Sequence, residues 1–221
     1  VPATTSPDTG LGFAAFAQLT DRLSIGAGIY DGGPVGTTWG FTTMGRFGGL
    51  TIAEIKWDPQ WSLFGDKPSA YRVGAWHHSG DWDALDGARS YDDNHGVYVA
   101  IDQLLWLEAD DEEQGLGCFV QFGTAPPDRN EVADYYGVGL SYRGPISGRD
   151  EDLVGIGLGH ARFSSVLRVT EGMTYESAIE TFYRAQLSPW AAIQPDLQFI
   201  ANPGGNLRDA IAVGIRFEIL L

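Results

Sequence analysis

The sequence predicts an all-β fold, a transmembrane antiparallel β-barrel, from three observations. Apolar and polar residues alternate with period two along most of the 221 residues, and a sustained 3.6-residue apolar stripe appears nowhere. The composition, with 30 Gly, 12% aromatic and only 19% charged residues, is unlike that of a helical bundle or a disordered chain. The connections between candidate strands alternate between shorter and longer, and a meander with short turns at one end and long loops at the other is the plan of an outer-membrane barrel.

In chain order, strands are expected at 11–19, 22–31, 48–57, 69–79, 95–107, 115–123, 134–143, 152–162, 175–187, 190–201 and 209–221, about eleven in all. Thr20-Asp21, 58–68, the acidic turn 108–114, 144–151 and Ser188-Pro189 form the shorter set of connections. The longer set is 32–47, 80–94, 124–133, 163–174 and 202–208. Gly26-Ala27-Gly28 and Gly155-Ile156-Gly157-Leu158-Gly159 read as strand glycines, because no dinucleotide fingerprint or following helix accompanies them. Pro195 removes a ladder donor and implies a bulge in its strand.

The last three strands show the face chemistry best. Ile179, Thr181 and Tyr183 alternate with Glu180, Phe182 and Arg184; Ile193, Pro195, Leu197 and Phe199 with Gln194, Asp196 and Gln198; Ile211, Val213, Ile215 and Phe217 with Ala212, Gly214 and Arg216. Alternation alone does not say which face is outside, since a soluble barrel turns the greasy side inward and a porin turns it to lipid. Two features favour lipid. Gly137, Gly139, Gly155, Gly157 and Gly159 fall on the non-greasy face, and Trp57, Tyr71, Tyr183 and Trp190 lie near strand ends, where headgroup girdles belong. No run reaches the roughly 18 apolar residues of a membrane-spanning helix, a test that does not bear on barrels.

Composition and spacing argue against several other classes. With 14 Lys+Arg against 29 Asp+Glu the formal charge is −15, and the basic residues are scattered, so nucleic acid is not expected as a partner. The single Cys118 excludes a disulfide framework and reads as packing on an apolar face. His77, His78, His95 and His160 lack ligand spacing, so no metal is expected, and no cofactor either. Asp81, Asp83, Asp86, Asp92 and Asp93 lack the pattern of a calcium loop and read as a solvated, mobile loop; Glu108, Asp110, Asp111, Glu112 and Glu113 read as a solvated turn. Glu176 and Glu180 stand about 13 Å apart by strand rise, too far for a glycosidase pair, and the chain is not expected to be an enzyme.

A resemblance enters at the C-terminal third. Tyr175-Glu176 through Ile179-Glu180, then Tyr183-Arg184-Ala185-Gln186-Leu187-Ser188-Pro189-Trp190, Gln194-Pro195-Asp196-Leu197-Gln198 and Asn202-Pro203-Gly204-Gly205 resemble the closing strands of carbohydrate-selective porins of the OprB type. Gly74-Ala75-Trp76-His77-His78, Gly96-Val97-Tyr98 with Asp102-Gln103, Ala125-Pro126-Pro127-Asp128-Arg129-Asn130 and Arg149-Asp150-Glu151-Asp152 resemble the same family in the same order. The resemblance implies a sixteen-stranded barrel in the outer membrane of a Gram-negative bacterium, passing small neutral carbohydrates such as glucose-like monosaccharides by facilitated diffusion. Against that plan about five N-terminal strands are missing, and a partial porin domain over 11–221 is expected after a disordered or loop tail at 1–10. Val1 carries neither an initiator Met nor a leader, so the chain is expected to start within, or after processing of, a longer product. The family's aromatic last residue is replaced here by Leu221.

Sugar selectivity requires weak, multiple hydrogen bonds in the lumen. The candidate lumen-facing residues are Arg72, Trp76 and His78 on one strand face, and Glu176, Glu180, Arg184, Asp196, Gln198, Arg216 and Glu218 on the closing strands. The competing reading is that these groups hydrate a pore wall and pair with one another across strands. Expected partners are small neutral carbohydrates and outer-membrane lipids; a homo-oligomer is left open. Two other functions stand beside the porin: a soluble sugar-binding β-barrel, and a structural outer-membrane barrel that does not conduct.

Overall fold

The computed structural model describes residues 10–33, 39–59, 65, 67–108 and 111–220. Residues 1–9 of the expected tail, Asp110 of the acidic turn and Leu221 lie outside the described residues. Eleven long strands form one antiparallel sheet in chain order: β1 (Gly12–Thr20), β2 (Leu23–Asp31), β3 (Gly49–Trp57), β4 (Ser69–His78), β7 (Asn94–Glu108), β8 (Asp111–Thr124), β9 (Val132–Arg143), β10 (Leu153–Phe163), β11 (Tyr175–Ser188), β12 (Ala191–Ala201) and β13 (Ala210–Ile219). β5 (Trp82–Asp83) and β6 (Ser90–Tyr91) make a small ribbon inside one long loop, and helices α1 (Gly40–Thr43) and α2 (Ser165–Thr170) lie in two others. The sheet is open, because β1 pairs only with β2 and β13 only with β12.

The register keeps every face intact across the sheet, as a two-residue side-chain period demands. Ile101, Val120, Val138, Leu158, Ile179, Phe199 and Ile211 lie opposite one another in turn from β7 to β13. The neighbouring row on the other face reads Asp102, Phe119, Gly139, Gly157, Glu180, Gln198 and Ala212.

Pro195 departs from expectation. The pairing of β11 with β12 skips Tyr183 and Arg184 opposite Pro195 and Gln194, yet resumes in the same register at Ala185 and Ile193, so the missing donor opens the ladder without a bulge. The irregularity in this pair falls instead between Gln186 and Ser188, beside the turn.

No protein layer covers the apolar face. Val73, Val97 and Ile156 are 57%, 50% and 52% exposed. Among the described residues the buried apolar side chains, Ala84, Ala133, Phe163, Leu167 and Ala192, sit in loops, at strand ends or on the polar face. The polar side is the sheltered one, with Gly74, Gly96, Gly137, Gly139 and Gly155 buried. A sheet that crowds one face and splays the other curls toward the crowded face, here the polar one.

Aromatic residues of neighbouring strands do the crowding. Tyr98 stands directly opposite Gly74, Trp76 opposite Gly96, Phe119 opposite Gly139 and Phe182 opposite Gly155, and each ring lies over its glycine. A Cβ at any of these glycines would meet ring atoms closer than 3.0 Å. Glycine is therefore a steric requirement of the ring beside it. We expect Gly155→Ala to destabilise the folded protein by about 1–3 kcal/mol through overpacking, with part of the loss recovered in the Gly155→Ala, Phe182→Ala double variant; urea titration in lipid or detergent measures both.

Candidate functional site

The polar face is the candidate site, bounded by two aromatic belts on the opposite, apolar face. At the short-turn end Trp57 and Tyr71 approach with ring centroids 5.7 Å apart and Trp106 and Tyr142 at 6.0 Å. At the long-loop end Phe122, Tyr136, His160 and Tyr175 follow one another at 5.2, 6.0 and 5.4 Å. Tyr136 and Tyr142 share β9 and are about 20 Å apart by strand rise, close to the height of an outer-membrane apolar band.

All ten sequence candidates fall on the polar face by register, but they do different things. Arg184 Nε and Nη2 donate to Glu218 Oε2 at 3.1 and 2.9 Å, crossing β12 above Ala192, and Arg184 Nη1 donates to Gln186 Oε1 at 2.6 Å. Gln198 Nε2 donates to Glu180 Oε2 at 3.3 Å and to Asp196 Oδ1 at 3.4 Å. Arg72 pairs with Asp102, and Trp76 lies over Gly96. Arg216 has no ion-pair or hydrogen-bond partner among the described residues. Surface ion pairs of this kind add little stability, so the wall pairs chiefly set side-chain direction.

Glu176 and His78 are spent at the long-loop end. Glu176 Oε2 accepts Gly204 N at 2.6 Å, holding the 3-10 turn Pro203–Gly205. His78, 8% exposed, accepts at Nδ1 from Gly80 N (3.0 Å) and Trp82 Nε1 (3.1 Å). Its other nitrogen therefore carries the proton and donates to Gly32 O at 2.8 Å. This ring joins loop 32–48 to loop 79–93 and offers no free nitrogen to a solute.

The remaining long loops are joined in the same way. Asn94 and Asn130 exchange amide hydrogen bonds at 2.9 Å, Tyr91 Oη donates to Asp128 at 2.6 Å, Ser164 N donates to Glu131 O at 2.8 Å, and Thr174 N to Gly205 O at 2.9 Å. The aspartate-rich loop makes specific contacts of its own. Ser90 Oγ donates to Asp83, Asp86 caps Ala88 N, and Asp93 lies 3.5–3.7 Å from His95, His77 and Arg129. Arg129 also lies over the Tyr91 ring at 4.0 Å.

Residues outside the sequence-derived set complete the wall. Glu54 Oε2 accepts Tyr98 Oη at 2.8 Å, and the rings of Phe119 and Phe182 stay half-exposed above their glycines. Their signal in the sequence was parity: each shares its face with lumen-side glycines or carboxylates.

A family model described as carbohydrate-selective porin, OprB family, matches residues 3–221. The chain belongs to the OprB carbohydrate-selective porin family. It is 23% identical to Porin B of Pseudomonas aeruginosa, an alignment covering 96% of this chain and 52% of that protein. A high-pH structure of Pseudomonas putida OprB superposes with a TM-score of 0.80 at 22% identity, covering 94% of this chain and 58% of that one. A low-pH structure of the same protein gives 0.64 at 20% identity, with 94% and 54% covered. The porin fold is shared, and the chain spans about half the length of the curated relatives it matches.

The short-turn end is pinned by Asp152, which is buried in turn 144–152. Arg149 and Tyr183 donate to its carboxylate, as does Gln186 N at 2.9 Å. Burial works to raise its pKa, yet the three donors outweigh burial and hold the carboxyl below the usual range. Arg149 is raised in turn, first by its hydrogen bond to Asp152. A depressed carboxyl contributes stability above its unfolded pKa of about 3.9 and loses it as pH falls through the lower folded value. The stability gap between wild type and Asp152→Asn should therefore be largest near neutral pH and close in acid, as read by urea titration at several pH values. At the other end, His78→Phe leaves Gly80 N, Trp82 Nε1 and Gly32 O unpaired. We expect a local loss of about 1–3 kcal/mol, seen as faster proteolysis within 79–93 while the sheet stays folded.

Proposed function

We propose that this chain supplies part of an outer-membrane porin that passes small neutral carbohydrates, glucose-like monosaccharides among them, by facilitated diffusion. The observation that carries the reading is the uncovered apolar face on the outside of the curl. Exposed valine, isoleucine and phenylalanine in an unbroken row, bordered by two aromatic belts, are what hydrocarbon between two headgroup layers stabilises. A soluble sugar-binding barrel would need the same face turned inward, and the glycine–aromatic pairs curl the sheet the other way.

In this reading residues 11–221 are one barrel segment, the short turns face the periplasm and the long loops the exterior. The polar face becomes the lumen wall, and Arg72, Trp76, Glu180, Arg184, Asp196, Gln198, Arg216 and Glu218 orient the passing solute. Glu176 and His78 shape the outer mouth. The work is that of a channel, with solute moving down its gradient and no bond made or broken. Long, shared hydrogen bonds such as those of Gln198 suit this task, because a wall group must exchange partners quickly for the solute to leave.

The full-length protein, reconstituted in liposomes, is expected to produce faster osmotic swelling in glucose than in a non-sugar solute of equal size. Equal rates would remove carbohydrate selectivity, and insertion without swelling would favour the non-conducting structural barrel.

A further inference from the structure

We propose that Phe119 and Phe182, with Glu180 and Gln198 beside them, form a wall-mounted subsite for a hexopyranose ring between the two aromatic belts; the proposal rests on the porin reading. Register places the parts. Phe119 faces Gly139, Gly139 faces Gly157, Gly157 faces Glu180, and Glu180 faces Gln198, so one row across β8 to β12 carries a ring, two bare positions, a carboxylate and an amide. In the next row Gly155 faces Phe182, which faces Asp196.

The two rings flank the glycines of β10. Phe119 covers Gly139 and reaches on toward Gly157, where a Cβ would lie 3.8 Å from its Cζ, while Phe182 covers Gly155. Gly155 and Gly157 are successive positions on one face of β10, about 7 Å apart, so the edge of the Phe119 ring borders the same strand that Phe182 covers. Both are half-buried, so part of each ring stays open to solvent. With no side chain standing on Gly139, Gly155 or Gly157, the result is a low apolar platform.

The platform's border is polar and loosely held. One amide nitrogen, Gln198 Nε2, serves both Glu180 Oε2 and Asp196 Oδ1, which leaves Glu180 Oε1 and Asp196 Oδ2 without a hydrogen-bond partner among the described residues. A pyranose in its chair form has an apolar C–H face and a rim of hydroxyl donors. The C–H face fits the rings, and adjacent hydroxyls fit the free Glu180 oxygen and the Gln198 amide carbonyl, while Asp196, whose carboxylate lies over Gly214 on β13, holds the amide. A carboxylate-bearing solute would be repelled by the same border, which commits the subsite to neutral sugars.

The competing account is that the rings only brace the wall by filling the space above glycine. Leucine braces comparably but offers no flat face, so substitution separates the two. Using the full-length protein in planar bilayers, glucose-dependent block of the ion current is the readout. With each variant's current normalised to its own sugar-free value, the glucose concentration for half-block should rise roughly three- to tenfold in Phe119→Leu and Phe182→Leu, and Phe119→Tyr should stay near wild type. Gln198→Ala, which leaves the rings in place, should raise it by a similar factor. Unchanged half-block in the Leu variants overturns the subsite; if those variants fail to insert, unchanged half-block in Gln198→Ala does so instead. If wild type itself conducts ions without any glucose effect, the sugar-porin reading fails and the subsite with it, an outcome visible before any variant is made.

Discussion

Everything in this structure depends on a sheet that has no second layer. In a soluble sandwich or barrel, apolar side chains are stabilised against a second layer of protein; among the described residues the apolar row from Ile101 to Ile211 packs only against its neighbours within the sheet. The free energy that holds such a sheet must come from what surrounds it and from its backbone ladder, since each unpaired N–H or C=O in hydrocarbon costs several kcal/mol. A continuous ladder across eleven strands is the direct consequence, with register shifts confined to positions near the strand ends. A slip of one residue at any pair would send carboxylates such as Glu180 and Asp196 to the outside and valines into the wall.

The polar face answers a second demand, that of curvature. Neighbouring strands approach more closely on the inner side of a curl, and directly opposed glycine–aromatic pairs, Gly12–Tyr30 and Gly26–Phe16 as well as the four on β4 to β11, fit bulky rings there by removing the opposing Cβ. The same pairs leave a wall of flat rings and bare backbone interrupted by Arg184–Glu218, Arg72–Asp102 and the Gln198 network. Shape and chemistry of the wall thus follow from one arrangement, and a solute pathway needs both.

The two ends differ in how they are tied. At the short-turn end a single carboxylate, Asp152, gathers Arg149, Tyr183 and Gln186 N. At the long-loop end buried amides, hydroxyls and the His78 ring link loop to loop, so that the long connections are tied to one another. Asn94, Asp152 and Ser164, the largest fully buried side chains, are all polar and all belong to these ties.

Strand positions, the sorting of faces and the family were legible in the sequence alone. A period of two survives in the order of residues whatever the strand pairs with, and observed strand ends fall within a few residues of those expected. The tertiary structure decided what each polar residue is for. His78 and Glu176 have the same parity as Trp76 and Glu180, yet they are consumed by the nearby Gly80 and Trp82 and by Gly32 and Gly204, the last two reaching them only when distant loops fold back. Phe119 and Phe182 read as ordinary strand residues until pairing sets them against Gly139 and Gly155. The absence of a bulge at Pro195 is likewise a property of the pair, since only a partner strand defines whether a lost donor shifts the ladder or merely opens it. Alternation is local and so is written in the chain; the identity of the neighbour across the ladder is not, and hydrogen bonds are made with neighbours.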